Sequence, residues 1–132
     1  MSPAETVGRI YQLFGQGDVA GILAHIADDV EWEYGGASTD VPWLQPRRGR
    51  DSVAGFFTAL HALEFHRFVP THILSEGDLV ISLVDLEITV KETGRRFVEI
   101  DEAHIWYFNA EGLVRRFRHR ADTHMQHLVT RG

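Results

Sequence analysis

The sequence contains no cysteine, which excludes disulfide bonds and thiolate chemistry. It also lacks an excess of positive charge, because 13 Lys and Arg residues against 19 Asp and Glu residues give a formal net charge of -6. No stretch approaches the roughly 20 apolar residues of a membrane span, and residues 1–20 lack the pattern of a secretory signal. We therefore expect a cytoplasmic protein without a nucleic-acid or membrane partner.

The sequence also lacks the common motifs for cofactor and metal binding. The sequence has no phosphate-binding glycine loop, no GxSxG nucleophile elbow and no HExxH zinc motif. Among the eight histidines, His124 and His127 have helical i, i+3 spacing, but such terminal pairs are typical of a solvated surface. We predict no metal and no cofactor.

The composition is that of a globular protein. Its 132 residues are 44% hydrophobic and 24% charged, which predicts one domain over residues 1–132. The first half of this domain predicts three amphipathic helices, the first beginning at a Ser2-Pro3-Glu5 capping box. The apolar stripes are Val7, Ile10, Tyr11 and Phe14; then Val19, Ile22, Leu23 and Ile26 after Asp18; then Val53, Phe56, Phe57 and Leu60 after Asp51.

The remaining segments predict a sheet. In VEWEY, residues 30–34, Val30, Trp32 and Tyr34 alternate with two glutamates, which is typical of a half-buried strand. Four further strand patterns, 65–75, 79–91, 96–108 and 113–122, are separated by short glycine-containing connections of hairpin type. The loop over 35–50 is rich in Gly and Pro and has the length of a lid or binding loop. This order predicts an α+β fold with helices on one face of a curved antiparallel sheet that surrounds a cavity.

The last strand pattern carries the most informative histidine. Strand alternation puts His119 between Phe117 and Ala121 on the side that faces the helices, and Arg116, Arg118 and Arg120 on the other side. His119 fits either a hydrogen-bonded core residue or a proton-transfer group. The arginine side fits either a solvated face or a subunit contact.

Two other ionisable residues lie in apolar runs. Asp85 interrupts LVISLVDLEITV, so it has to be paired or to have a raised pKa if it is buried. In residues 97–108 both faces mix apolar and ionisable residues. Alternation alone therefore does not decide whether His104 faces inward.

The segments GDVAGILAHIADDVEWE, GRDSVAGFF, EGDLVISLVDLEI and HIWYFNAEGLVRRFRHRAD together resemble the SnoaL-like group of the NTF2-like superfamily. This group includes polyketide cyclases, ketosteroid isomerase and limonene epoxide hydrolase. The resemblance implies a cone-shaped α+β barrel, in which three N-terminal helices pack on a strongly curved, mainly antiparallel sheet.

The resemblance also indicates which catalytic positions are kept. The three catalytic residues of ketosteroid isomerases correspond here to Ile10, Tyr34 and His104, and the Asp-Arg-Asp set of the epoxide hydrolases corresponds to Asp85, Leu83 and His119. Only Asp85 keeps its residue type, so neither mechanism is expected here in its usual form. The resemblance further implies that Asp85, His104 and His119 point into the cone, which puts the even-numbered residues from 98 to 108 on the inner face of the sheet. Asp85, His104 and His119 are the predicted catalytic residues.

Together these patterns predict a cofactor-independent acid/base enzyme: a cyclase, isomerase or hydrolase that acts on a small hydrophobic, cyclic metabolite. The alternative is a non-catalytic ligand-binding or association domain. The expected partners are a small hydrophobic ligand or substrate and a second copy of the chain, in a homodimer formed through the sheet face. The predicted substrate-contacting residues are Tyr11, Phe14, Trp32, Tyr34, Trp43, Phe56, Phe57, Leu83, Glu87, Glu102, Trp106 and Phe117.

Overall fold

The computed structural model describes residues 1–35 and 40–131. Residues 36–39, which belong to the predicted binding loop, lie outside the described part of the chain. The α-helices are α1 (Pro3–Gly15), α2 (Val19–Leu23), α3 (Arg50–Ala59) and α4 (Thr123–Thr130), and a short 3₁₀ turn, Leu60–Ala62, follows α3. No helix in the described ranges combines the length and apolar character needed to cross a membrane.

The strands form one curved six-stranded sheet. They are β1 (Ile26–Trp32), β2 (Arg47–Arg48), β3 (Leu63–Glu76), β4 (Leu79–Val90), β5 (Arg96–Phe108) and β6 (Val114–Arg120), in the spatial order β2-β1-β6-β5-β4-β3. Neighbours are antiparallel except for β1 and β6, which are parallel. The sheet is not closed into a full barrel. The predicted fold class, helices packed on a strongly curved and mainly antiparallel sheet, is confirmed.

Local sequence explains the helix starts better than the helix ends. The capping box forms as predicted, with the Glu5 N–H donating to Ser2 Oγ at 3.1 Å and the Ser2 N–H donating to the Glu5 carboxylate at 3.0 Å. The second helix is shorter than predicted. Ile26 starts β1 instead, because the Val114 N–H donates to the His25 carbonyl and draws this segment into the sheet beside β6.

A β-bulge in β5 controls which residues face inward. Opposite Asp85, the two residues Ile100 and Asp101 occupy the space of one. Asp101 has a φ of 59°, and its N–H donates to Asp85 Oδ1 at 3.1 Å. Because the extra residue shifts the alternation, Glu99 and Glu102 both face the inner side of the sheet, and both are buried.

The bulge also corrects the predicted orientation of this strand. The expectation that the even-numbered residues from 98 to 108 face inward holds only after the bulge. Before it, Val98 and Ile100 point outward and are 52% and 58% exposed, whereas Phe97 is buried. Strand alternation therefore has to be counted separately on each side of residue 101.

Candidate functional site

A cavity of about 640 Å³, a volume that includes its open mouth, lies between the helices and the inner face of the sheet. Its walls are mostly aromatic and aliphatic. Apart from the indole N–H groups of its tryptophans, its polar groups come from Tyr11, Glu102, His104, His119 and Gln126. An apolar chamber with few polar groups is suited to chemistry that requires water to be excluded.

His104 is held by hydrogen bonds at both ring nitrogens. Its Nδ1 lies 2.6 Å from the Tyr11 hydroxyl, and its Nε2 lies 3.1 Å from Glu102 Oε2. The Tyr11 hydroxyl also lies 2.6 Å from Ser82 Oγ, which accepts from the Trp106 indole N–H at 3.1 Å. Helix α1 and strands β4 and β5 therefore position His104 jointly.

His119 forms an ion pair with Glu33. One Glu33 oxygen contacts His119 Nδ1 and also accepts from the His119 backbone N–H at 3.1 Å. Glu33 has a φ of 59°, an uncommon conformation for a residue other than glycine, and this turn ends β1. The turn directs the Glu33 carboxylate inward and Tyr34 outward, so the predicted alternation of residues 30–34 is wrong at its last two positions.

The two histidines have opposite protonation preferences, although their ring centroids are only 4.8 Å apart. Burial lowers the pKa of His104, so this ring is neutral near pH 7. Burial also opposes the charged form of His119, but the charge of Glu33 and its hydrogen bond outweigh burial and raise the pKa of His119. His119 is therefore the preferred cation of the pair.

The carboxyl groups differ as well. Burial alone would raise the pKa of Glu102, but its hydrogen bond with His104 and the charge of His119 outweigh burial, so the pKa is lowered. Burial, helped by the charge of Glu102, raises the pKa of Glu99. Burial also raises the pKa of Tyr11 well above its usual value, so this hydroxyl keeps its proton. Glu102 is thus the ionised carboxylate at the cavity wall.

Gln126 on α4 ties this carboxylate to the cover of the cavity. Its side-chain amide donates to Glu99 Oε1 at 2.9 Å and lies 3.4 Å from Glu102 Oε1, and its carbonyl accepts from the Trp43 indole N–H at 2.8 Å. Glu99 also accepts from the Asp122 N–H at 2.8 Å, beside the start of α4. The C-terminal helix and the segment around Trp43 therefore meet above the polar end of the cavity.

Glu102, His104 and His119 each bring one metal-ligand type of atom within 4.8 Å of the others. Both nitrogens of His104 and one nitrogen of His119 already have hydrogen-bond partners. A hydrogen bond thus accounts for the close approach of Glu102 and His104, whereas His119 is held beside them by its contact with Glu33. The expectation of no metal and no cofactor stays a prediction.

Most of the predicted pocket residues line the cavity. Those in its wall are Tyr11, Phe14, Trp32, Trp43, Phe56, Phe57, Glu102, His104, Trp106, Phe117 and His119. Four predicted residues do not line it: Tyr34, Leu83, Asp85 and Glu87. The three residues on β4 alternate with Ser82, Val84 and Leu86, which face inward, and they therefore lie on the outer face of the sheet.

The expectation that Asp85 points into the cavity is wrong. Its carboxylate accepts from the backbone of the β5 bulge and lies 4.0 Å from Arg67 on β3. Glu87 pairs with Arg96 on the same outer face, and Tyr34 lies under the Arg116 guanidinium. The contacts of Asp85 with the bulge and with Arg67 explain how this acid is accommodated within an apolar run, and they stabilise the irregular part of the sheet.

Four polar residues near the site were not predicted: Glu33, Ser82, Glu99 and Gln126. No sequence signal points to Glu33 or Glu99, because each faces inward only as a result of a local backbone irregularity. Ser82 shares its face with Val80 and Val84, so its burial follows from alternation. Gln126 lies next to Met125 and Val129, whose i, i+4 spacing after the Asp122 cap favours a helix.

A profile of the SnoaL-like domain matches residues 7–117, which is most of the chain. The chain belongs to the SnoaL-like family. The match begins in α1 and ends in β6, so it includes the elements that carry Tyr11, Glu102 and His104. A comparison with curated proteins finds no match.

Solved structures share the fold of this SnoaL-like domain. An NTF2-like protein from Burkholderia thailandensis superposes with a TM-score of 0.85 at 24% identity, over 100% of this chain and 99% of its own. A putative SnoaL-like polyketide cyclase from Mesorhizobium loti gives 0.72 at 21% identity, over 91% and 99%. TerC, co-crystallised with polyporic acid, gives 0.76 at 23% identity, over 99% and 100%. At these identities the similarity establishes the fold alone.

Proposed function

We propose that this SnoaL-like domain is a cofactor-independent acid/base enzyme, a cyclase, isomerase or hydrolase, that acts on a small apolar cyclic metabolite. The observation that carries the proposal is the His119–Glu33 ion pair beside the Glu102–His104 pair, at the polar end of an otherwise apolar cavity. A proton donor and a proton acceptor are thus placed side by side and shielded from water.

The proposed chemistry follows from which atoms of these groups remain available to a ligand. His119 Nδ1 is occupied by Glu33, and its Nε2 makes no hydrogen bond within the described residues, so Nε2–H is available to a ligand oxygen. A carbonyl oxygen held there would be stabilised as its negative charge develops. The Glu102 carboxylate, which is hydrogen-bonded to His104, accepts the proton released from a neighbouring carbon or hydroxyl group of the ligand. The aromatic walls strengthen both interactions because they exclude water.

The apolar walls support a cyclic ligand. Trp32 and Phe117 stack with ring centroids 4.1 Å apart, and Phe56 and Phe57 contact the Trp32 ring. Flat side chains of this kind favour a flat hydrocarbon skeleton. TerC was crystallised with polyporic acid, and the Mesorhizobium loti structure is a putative polyketide cyclase, so a cyclic metabolite agrees with both neighbours.

A non-catalytic ligand-binding domain is the second candidate. It is favoured by the internal partners of the polar groups: His104 bonds to Tyr11 and Glu102, and Gln126 bonds to Glu99 and Trp43. A binding site needs no reactive group beyond these, and its ligand would be retained by burial of apolar surface.

Proton exchange separates the two candidates. We expect the wild-type protein to accelerate the exchange of the α-protons of 2-tetralone, a bicyclic apolar ketone, with D₂O, as followed by NMR. Glu102→Gln should slow this exchange at least about 100-fold, because an amide cannot accept the proton. Asp85→Asn is the matched control, since Asp85 lies outside the cavity, and it should stay within about twofold of wild type.

Two results would count against catalysis. Exchange at the solvent rate, combined with saturable binding of 2-tetralone, would favour the binding domain. Equal loss in the Glu102 and Asp85 variants would show that the measured rate does not come from the cavity.

We also propose that the outer face of the sheet joins two copies of the chain. This face exposes Val69, Leu74, Ile81, Val98 and Ile100. It also carries the ion pairs Arg67–Asp85 and Arg96–Glu87, so both signs of charge are present and a two-fold copy can meet complementary groups. Exposed apolar patches bordered by charges are typical of protein contact sites.

Light scattering coupled to gel filtration checks the interface. Wild type should have the mass of a dimer and Ile100→Glu the mass of a monomer, because the substitution places a charge in the centre of the apolar contact. Leu128→Glu is the control, since Leu128 is 42% exposed on α4, away from this face. A wild-type monomer, or dissociation of both variants, would refute the interface.

A further inference from the structure

A line of hydrogen bonds crosses the base of the cavity and ends at Glu102. It runs from the Trp106 indole to Ser82 Oγ at 3.1 Å, to the Tyr11 hydroxyl at 2.6 Å and to His104 Nδ1 at 2.6 Å. It continues from His104 Nε2 to Glu102 Oε2 at 3.1 Å. Ser82, Trp106, His104 and Glu102 are all buried, so water does not compete along this line.

The two ends of the line fix the direction of every bond. An indole N–H can only donate, and an ionised carboxylate can only accept. Since Ser82 Oγ accepts from Trp106, its own hydrogen goes to the Tyr11 oxygen, and the Tyr11 hydrogen then goes to His104 Nδ1. His104 carries its hydrogen on Nε2 and donates it to Glu102. In this arrangement each hydrogen on the line has an acceptor.

The opposite direction leaves a buried group without a partner. If His104 Nδ1 carried the hydrogen, the Tyr11 hydroxyl would have to donate to Ser82. The Ser82 hydrogen would then have no acceptor among the hydrogen bonds of the described residues. A buried hydroxyl without an acceptor costs on the order of 1–3 kcal/mol.

We propose that His104 is a positioning residue: Trp106, Ser82 and Tyr11 hold it as the neutral Nε2–H tautomer, and it orients the Glu102 carboxylate without exchanging protons with the ligand. This inference rests on the proposed function and deepens it. It assigns proton acceptance to Glu102 and proton donation to His119.

The surroundings of His104 support this assignment. The charged and titratable groups that face it are Tyr11 from α1, Glu102 from its own strand, His119 from β6 and, behind His119, Glu33. His119 carries the positive charge that balances Glu33, and its ring lies 4.8 Å from that of His104. A second imidazolium at this distance would be repelled by the first.

The tautomer is measured directly by ¹⁵N NMR of the histidine rings of the full-length protein at pH 7. We expect His104 to show an unprotonated Nδ1 and a protonated Nε2, and Tyr11→Phe to move the Nδ1 signal towards that of a nitrogen without a hydrogen bond. A protonated Nδ1 or a doubly protonated His104 ring in wild type would overturn the proposal. This result does not depend on activity, so it stands even if no exchange of 2-tetralone is found.

Paired substitutions test the role of His104. Glutamine has one acceptor and donor groups but no titratable proton, so His104→Gln should keep exchange of 2-tetralone within about threefold of wild type. His104→Leu removes both hydrogen bonds and should reduce the rate more than about tenfold. His119→Gln should lose activity even though the substitution is the same, because this site requires a cation.

The outcomes are distinguishable. An activity loss in His104→Gln as large as that in His104→Leu would show that His104 transfers protons, and would overturn the proposal. If His119→Gln retained the exchange activity and His104→Gln lost it, His104 would be the proton-transfer residue and His119 the positioning residue, which would also overturn the proposal. If His104→Leu does not fold, the activity of His104→Gln and the ¹⁵N signals of the His104 ring still show whether His104 transfers protons.

Discussion

Replacing His119 with glutamine is expected to have the largest effect on activity, a decrease on the order of 10²–10⁴-fold in proton exchange, the range typical for loss of an acid/base group. The same variant should also change how stability depends on pH. Because the pKa of His119 is raised in the folded protein, its protonation stabilises the fold fully below the ordinary histidine value of about 6.5. This stabilisation is lost as the pH rises through the raised pKa.

Denaturant unfolding at several pH values checks this expectation. The difference in free energy of unfolding between wild type and His119→Gln should be largest below about pH 6.5 and should shrink at alkaline pH. His104 has the opposite shift and is present in both proteins, although the part of its shift that comes from the charge of His119 is absent from the variant. His124→Gln is the control, because His124 is exposed on α4. A difference that grows with pH would contradict the ion pair.

Removing Glu33 is expected to have the largest effect on stability. Glu33→Ala leaves the His119 ring without its counter-ion and the His119 backbone N–H without its acceptor. Breaking one partner of a buried pair costs about 3–5 kcal/mol. Alanine is no better suited than glutamate to a φ of 59°, so relief of backbone strain does not mask the loss.

Glu31→Ala is the matched comparison for Glu33→Ala. Glu31 is on the same strand and pairs with Arg116, but both side chains are more than a third exposed. Such pairs contribute about 0–1 kcal/mol, so this variant should unfold close to wild type. Equal losses in the two variants, measured by chemical denaturation, would show that the Glu33 contact does not stabilise the fold.

The sequence predicted the features that depend on neighbouring residues. The Ser2 capping box and the stripes of α1 and α3 follow from local hydrogen bonds and from the 3.6-residue period, and both are present. The inward orientation of His119 followed from simple alternation with Phe117. For His104, alternation left both faces open, and the family resemblance supplied the orientation.

The errors in the alternation of β1 and β5 have a common physical cause. Glu33 and Asp101 adopt positive φ values although neither is glycine, and each reverses the alternation of the residues beyond it. Tertiary contacts, an imidazole for Glu33 and the Asp85 carboxylate for Asp101, hold these conformations. A pattern based on period two contains no information about such contacts. The inward orientation of the Glu33 and Glu99 carboxylates could therefore not be predicted from it.

The bulge at residues 100–101 divides β5 into two halves that have opposite phase. Deleting one residue there would turn Phe97 and Glu99 to the solvent side and bring Val98 inward, while the half containing His104 stayed in place. The number of residues in the bulge is therefore as important for the cavity as the identity of those residues. A related chain that is one residue shorter here would keep the two histidines in the cavity. It would lose the Glu99 carboxylate that accepts hydrogen bonds from Asp122 and Gln126 of the C-terminal helix.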